Sequence, residues 1–331
     1  MNFASLFSGI GGFDLGFERA GMTCTAQVEI DKQAQSVLRR HFPTAQLLAD
    51  ITSVSGGDLG SAVDVLCGGF PCQDVSLAGR RAGLAGERSG LWYQFHRLIS
   101  EVQPQFVVIE NVPGLLSSNR GRDMFSVLQG LADIGYLSAW RVLDSQYFGV
   151  AQRRRRVFIV ASLGDGRAAQ VLFERESGGG HSATAGKARG FYTTSDQHAE
   201  GPYWDGSDVT DTIDTVIAKR QTMPEKRRFQ AVVVPAWRQC PDCDDVWCDI
   251  HGMHAYDCDC PDIDTWAEHD LFPYVESAVR FLTPTECERL QGFPDGWTAG
   301  QSDSARYRQL GNAVTVNVAE WIGRRLMEVA R

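Results

Sequence analysis

The chain has 331 residues, more than the roughly 100 to 200 of a typical single domain, so its length points to one large domain carrying a smaller module. With 43% hydrophobic and 22% charged residues, and no apolar run approaching the roughly 18 residues of a membrane span, the composition is that of a soluble globular protein. The net charge of -9 does not exclude a nucleic-acid partner, because residues 240–270 hold nine Asp, one Glu and no Lys or Arg, which leaves +1 for the rest of the chain.

The first residues, Met1 to Phe7, carry no basic leader and run at once into a glycine-rich loop, so a cytoplasmic location is expected. Residues 2–6 read as a short apolar strand, 8–12 as a glycine loop and 13–20 as a helix. A second strand spans 23–30 and a second helix 32–41, giving a βαβ opening. Residues 63–66 and 106–109 are compact β-branched runs of the kind that become buried parallel strands, and 157–161 reads as a further strand directly after the arginine run. From about 164 the texture turns polar and glycine-rich. Order returns near 280, where Thr283, Pro284 and Glu286 form the capping-box signature of a helix over 282–291, and a last amphipathic helix is expected over 312–329.

Three constellations carry chemistry. Phe7-Ser8-Gly9-Ile10-Gly11-Gly12-Phe13 joins a strand to a helix, where glycines allow close backbone approach to a ligand. Glu29 follows Gly9 by 20 residues, the spacing at which a strand-end carboxylate accepts both ribose hydroxyls of a nucleoside. Asp14 and Leu15 break the G-x-G-x-x-G pattern, which favours a nucleoside cofactor other than a dinucleotide, and Asp50 at the next strand end could accept from an adenine amino group. Gly68-Gly69-Phe70-Pro71-Cys72-Gln73 sets a cysteine in a rigid loop at a strand end, as a nucleophile requires, and Glu110-Asn111-Val112 closes another buried strand.

Joined by Q-R-R-R-R-V-F at 152–158, R-F-L-T-P-T-E-C-E-R-L-Q-G-F-P at 280–294 and Q-L-G-N-A-V at 309–314, these motifs resemble the DNA (cytosine-5) methyltransferase family, in the family's order. The resemblance covers about 200 residues. It implies an α/β fold with a Rossmann-like mixed sheet flanked by helices, a smaller inserted target-recognition domain, S-adenosylmethionine as co-substrate and double-stranded DNA as partner. It also implies that Cys72 attacks carbon 6 of a flipped-out cytosine while Glu110 shares a proton with ring nitrogen 3. Arg154 and Arg156 would line the pocket and favour the thiolate, with Arg156 reaching the base carbonyl. Phe7, Gly9, Gly11, Gly12, Glu29, Asp50, Pro71, Leu91, Asn312 and Val314 would surround the cofactor. The loop after Cys72, with Gln73, Ser76, Arg80 and Arg81, would close over the DNA.

The expected division is a catalytic domain at 1–163, a target-recognition insertion at 164–279 and a C-terminal segment at 280–331 that returns to the catalytic domain. Within the insertion, Lys219, Arg220, Lys226, Arg227 and Arg228 form a basic cluster suited to phosphates. Nine cysteines, an odd number, argue for free thiols, catalysis or metal. Cys240, Cys243, Cys248, His251, His254, Cys258 and Cys260 offer more than the four ligands zinc takes. Cys240 and Cys243 are expected to pair with Cys258 and Cys260, with Cys248 and His251 the competing choice. The compact chain suggests a monomeric bacterial or phage modification enzyme, with a restriction endonuclease of the same site as a possible partner. Two rival readings are a tRNA-methylating member of the family, whose C-F-T peptide is missing here, and a silent DNA-binding relative, against which intact Cys72, Glu110 and Arg156 argue.

Overall fold

In the computed structural model, the described residues are 1–60, 62–71, 90–173 and 278–330, together with the strand backbones 231–234, 237–239, 246–248 and 253–254. Cys72 and the rest of its loop, the basic cluster at 219–228, and Cys240, Cys243, His251, Cys258 and Cys260 lie outside them.

The opening follows the expected alternation: β1 (Asn2–Leu6), α1 (Gly12–Arg19), β2 (Thr23–Val28), α2 (Lys32–His41) and β3 (Gln46–Leu48). Asp31 caps α2 by accepting from the backbone N–H groups of Gln33 and Ala34. Then come β4 (Val65–Gly68), α3 (Gly90–Val102), β5 (Phe106–Asn111), α4 (Arg122–Asp133), β6 (Tyr136–Asp144), β7 (Arg155–Leu163) and α5 (Arg167–Leu172). The seven strands form one sheet in the order β3-β2-β1-β4-β5-β7-β6. Strands β1 to β5 run parallel, whereas β7 lies antiparallel to both β5 and β6. The order reverses between β1 and β4, and at such a switch point the carboxyl ends of the strands leave a crevice for a ligand.

Both faces of the sheet are covered, which is why its central strands are unbroken apolar runs. Successive residues serve opposite sides: Ala4, Leu66 and Val107 pack with Trp92, Phe95 and Leu98 of α3 and Val127 of α4, while Phe3, Val65 and Val108 pack with Phe17 of α1 and Val171 of α5. Helix α5 adds Ala168, Val171 and Leu172 to this second core.

The C-terminal segment holds α6 (Pro284–Leu290), α7 (Asp303–Asn312) and α8 (Val316–Val329). The capping box at Thr283 and Glu286 is present. The last helix differs from expectation. Asn312 ends α7, and the chain is extended at Ala313 (φ -67°, ψ 148°) before α8 begins. Helix α8 packs on α1 closely enough that a Cβ on Gly16 would lie 2.6 Å from the Cβ of Ala319, so the chain's end completes the face begun by its start.

In the remaining segment, β8 (Ala231–Val234) pairs antiparallel with β12 (Ala278–Phe281), and β9 (Trp237–Gln239), β10 (Val246–Cys248) and β11 (Met253–His254) form a three-stranded antiparallel sheet. Among the described residues no helix is long and apolar enough to cross a membrane.

Candidate active site

The glycine loop after β1 bends through three left-handed residues, Phe7 (φ 54°), Gly9 (φ 58°) and Gly11 (φ 85°). Glycine takes that conformation freely, but a bulky residue does so at a cost of about 1–3 kcal/mol, so Phe7 marks a strained turn held by its surroundings. Its ring packs 6.3 Å from that of Phe95 on α3, and Leu91 joins the same apolar cluster. Gly12 meets a different demand: a Cβ there would lie 2.4 Å from the carbonyl oxygen of Val314. The first loop and the C-terminal return thus touch backbone to backbone. Trp297 adds a second tie by donating from its indole N–H to the Ile10 carbonyl at 2.8 Å, with the His41 ring stacked on it at 3.6 Å.

Glu29 closes the crevice opposite this loop. One carboxylate oxygen accepts the Gly9 N–H at 2.7 Å and the other the Asp31 N–H at 2.7 Å. Burial pushes its pKa up, and these backbone donors oppose the shift without cancelling it. Asp50 is oriented by Thr52, whose backbone N–H and hydroxyl donate to its Oδ1 at 2.9 and 2.8 Å and hold its carboxyl below the usual value. Ile30, 73% exposed between Glu29 and Asp31, escaped the sequence reading; its signal is a large apolar side chain set between two acids at a strand end.

The second half of the site lies at the ends of β4 and β5. Glu110 is buried, and a Cβ on Gly69 would come within 2.8 Å of its Oε2, so a larger residue there would have to displace the carboxyl. Arg156 lies with Nε 3.0 Å from Glu110 Oε1. Burial raises the Glu110 pKa, while the guanidinium groups of Arg156 and, more weakly, Arg154 pull it back down. Asn111 donates from its side-chain amide to the Phe70 carbonyl at 3.3 Å, tying β5 to the loop that leads through the exposed Pro71 toward Cys72.

Arg154 and Arg156 occupy different settings although both were expected in the pocket. Arg154 is 2% exposed, and its Nη2 donates to the carbonyls of Gly311 at 2.9 Å and Ala313 at 2.8 Å. It therefore fastens the turn that carries Asn312 and Val314 to the sheet. Asn312 is exposed, whereas Val314 is buried against Gly12. Among the described residues no cluster of His, Cys, Asp or Glu is arranged to hold a metal ion.

A sheet of this order, with the glycine loop after its first strand bonded to an acid at the end of the neighbouring second strand, has the fold of the S-adenosylmethionine-dependent methyltransferases. The same fold is found in Schizosaccharomyces pombe Dnmt2 (TM-score 0.65, 18% identity, 99% of this chain and 98% of that one) and in Entamoeba histolytica EhMeth (TM-score 0.67, 16% identity, 100% and 99%). Within that class the chain belongs to the C-5 cytosine-specific DNA methylase family, whose model matches residues 1–328. It is 33% identical to the type II methyltransferase M2.BsuMI of Bacillus subtilis over 99% of this chain and 76% of that protein. It is 31% identical to M.Eco47II of Escherichia coli over 98% and 78%.

Proposed function

We propose that this chain methylates carbon 5 of cytosine at a specific site in duplex DNA, as the modification arm of a restriction–modification pair or alone, through a covalent adduct with Cys72. The observation that carries the reading is the pairing of two half-sites on one sheet edge: a nucleoside cradle at Gly9 and Glu29, and a buried carboxyl with its guanidinium at Glu110 and Arg156. The type II methyltransferases among its relatives support the restriction–modification setting.

S-adenosylmethionine supplies the electrophilic methyl group. Glu29 accepts from the ribose hydroxyls, and Ile30 offers the adenine an apolar cover. Cys72 adds as thiolate to carbon 6, and the electron pair moves through carbon 5 toward ring nitrogen 3. Glu110, its pKa raised by burial, supplies a proton at that nitrogen, so the ring need not hold a full negative charge. Arg156 orients Glu110 and is placed to meet the base carbonyl. Methyl transfer releases S-adenosylhomocysteine; loss of the carbon-5 proton, departure of the Cys72 sulfur and return of the nitrogen-3 proton to Glu110 then restore the aromatic ring and the enzyme. Rotation of the base out of the stack costs a few kcal/mol, which DNA contacts must supply.

The target-recognition insertion falls at 164–279 in this reading, with the basic cluster around Lys226, Arg227 and Arg228 toward DNA and the acidic stretch away from it. Zinc in that stretch rests on sequence spacing, with the Cys-x2-Cys pair Cys240 and Cys243 and the nearby Cys258 and Cys260 offering the four ligands zinc takes. Zinc content of the purified protein by elemental analysis should be one per chain, falling to zero in Cys240→Ser/Cys243→Ser; a metal-free wild-type protein removes this part.

Methylation sequencing of DNA from cells expressing the gene should reveal 5-methylcytosine at one recurrent site and none with Cys72→Ser. Purified protein should label duplex DNA and not tRNA. Labelling of tRNA alone, or undiminished activity of the serine variant, would overturn the proposal.

A further inference from the structure

Asp14 has no part in the chemistry above, yet it is the most enclosed carboxyl near the cofactor loop, with no exposure to solvent. An acid in the first turn of a helix ordinarily faces water and complements the helix dipole. Asp14 instead points into the sheet. Its Oδ1 accepts from Ser5 Oγ at 2.7 Å, from Gln27 Nε2 at 2.8 Å and from Cys24 Sγ at 3.4 Å, and its Oδ2 has no hydrogen-bond partner among the described residues. Burial pushes the carboxyl toward its neutral form.

The donors lead to the cofactor loop by two routes. Ser5 Oγ lies 2.6 Å from Ser8 Oγ. A hydroxyl has one proton, so with Ser5 donating to the carboxyl, Ser8 donates to Ser5, and the carboxyl sets the direction of the whole chain. Ser5 and Ser8 bracket Phe7, the bulky residue held in the left-handed region. Such a conformation persists only where its surroundings over-determine it. By the second route Gln27 ties the same oxygen to β2, two residues before Glu29, whose carboxylate accepts from Gly9.

We propose that Asp14 is a positioning residue for S-adenosylmethionine: through Ser5 and Ser8 it fixes the strained Phe7–Gly9 turn, and through Gln27 it fixes the strand that presents Glu29. It touches neither cofactor nor base. The inference rests on the cofactor role given to this loop above and adds the residue that holds the loop in its binding shape.

The test is calorimetric binding of S-adenosylmethionine and S-adenosylhomocysteine to the full chain, beside kcat at saturating cofactor. Asp14→Ala should weaken both ligands about tenfold or more, the scale on which loss of a buried hydrogen-bond partner registers, with kcat within about threefold of wild type. Asp14→Asn keeps the acceptor oxygen and should restore affinity to within about threefold. Ser8→Ala leaves the Asp14 carboxyl and its other donors in place while removing the hydroxyl that reaches Ser5 Oγ and the Ser5 and Val28 carbonyls, so it carries the test even where the Asp14 variant fails to fold, and should weaken binding in the same direction. Wild-type affinity in folded Asp14→Ala or in Ser8→Ala overturns the inference, as does an Asp14→Asn protein no better than the alanine variant. A loss confined to kcat overturns it too. In each of those results the wild-type protein still binds cofactor and the methyltransferase reading stands; a wild-type protein that binds no S-adenosylmethionine removes both.

Discussion

Glu29 satisfies two backbone N–H groups before any ligand arrives, so its two oxygens enter the reaction already aimed. Only the carboxylate can accept from both ribose hydroxyls while keeping those bonds. Because its pKa is raised above 4.5, affinity for S-adenosylmethionine should be full at neutral pH and fall as pH drops through that raised value. Titration calorimetry across the acidic range should record this, and Glu29→Gln should bind weakly with a flat profile; a wild-type affinity constant down to 4.5 would contradict it. Gly12 tests the opposite wall. Gly12→Ala forces a methyl group against the Val314 carbonyl and should weaken cofactor binding about tenfold or more while circular dichroism stays that of the wild type. Both positions were legible in the sequence, since residue type and spacing alone marked them. Asp14 was legible only as a departure from a glycine pattern, because nothing in a sequence says that a first-turn acid is turned inward.

At the level of elements, the return of the chain's end to its beginning decides whether the cofactor wall exists. Arg154 ties the sheet to the α7–α8 turn by donating to the carbonyls of two buried residues, Gly311 and Ala313. Arg154→Met should leave those carbonyls unpaired at about 1–3 kcal/mol each, lowering the melting temperature by several degrees and raising KM for the cofactor more than it lowers kcat. Scanning calorimetry and steady-state kinetics give both numbers; a melting temperature at the wild-type value would refute the fastening role. The Thr283 capping box was legible because that signal is local. The last helix was expected from 312 but begins at Val316, and α7 went unread, since the extended stretch at Ala313 depends on Arg154 and on Gln291, which donates to the Leu310 carbonyl and accepts from Thr315. Such contacts span long sequence separations and leave no periodic trace.

For the molecule as a whole, the carboxyl ends of the strands carry the Glu110 carboxyl with Arg156, the Gly9–Glu29 pair, and the end of β4 from which the chain leads toward Cys72. We propose a monomer, for which light scattering of DNA-free protein should report the 36.5 kDa of one chain. A dimer mass would call for a shared site. The claim on which everything else depends is the bond between the Cys72 sulfur and the cytosine ring. With S-adenosylmethionine present, duplex DNA carrying 5-fluorocytosine at the methylated position should trap the enzyme, because fluorine cannot leave as the carbon-5 proton does. Mass spectrometry of the digested complex should then find the modified nucleotide on the peptide containing Cys72. A methylating protein that forms no such linkage, or forms it through another residue, would contradict the account.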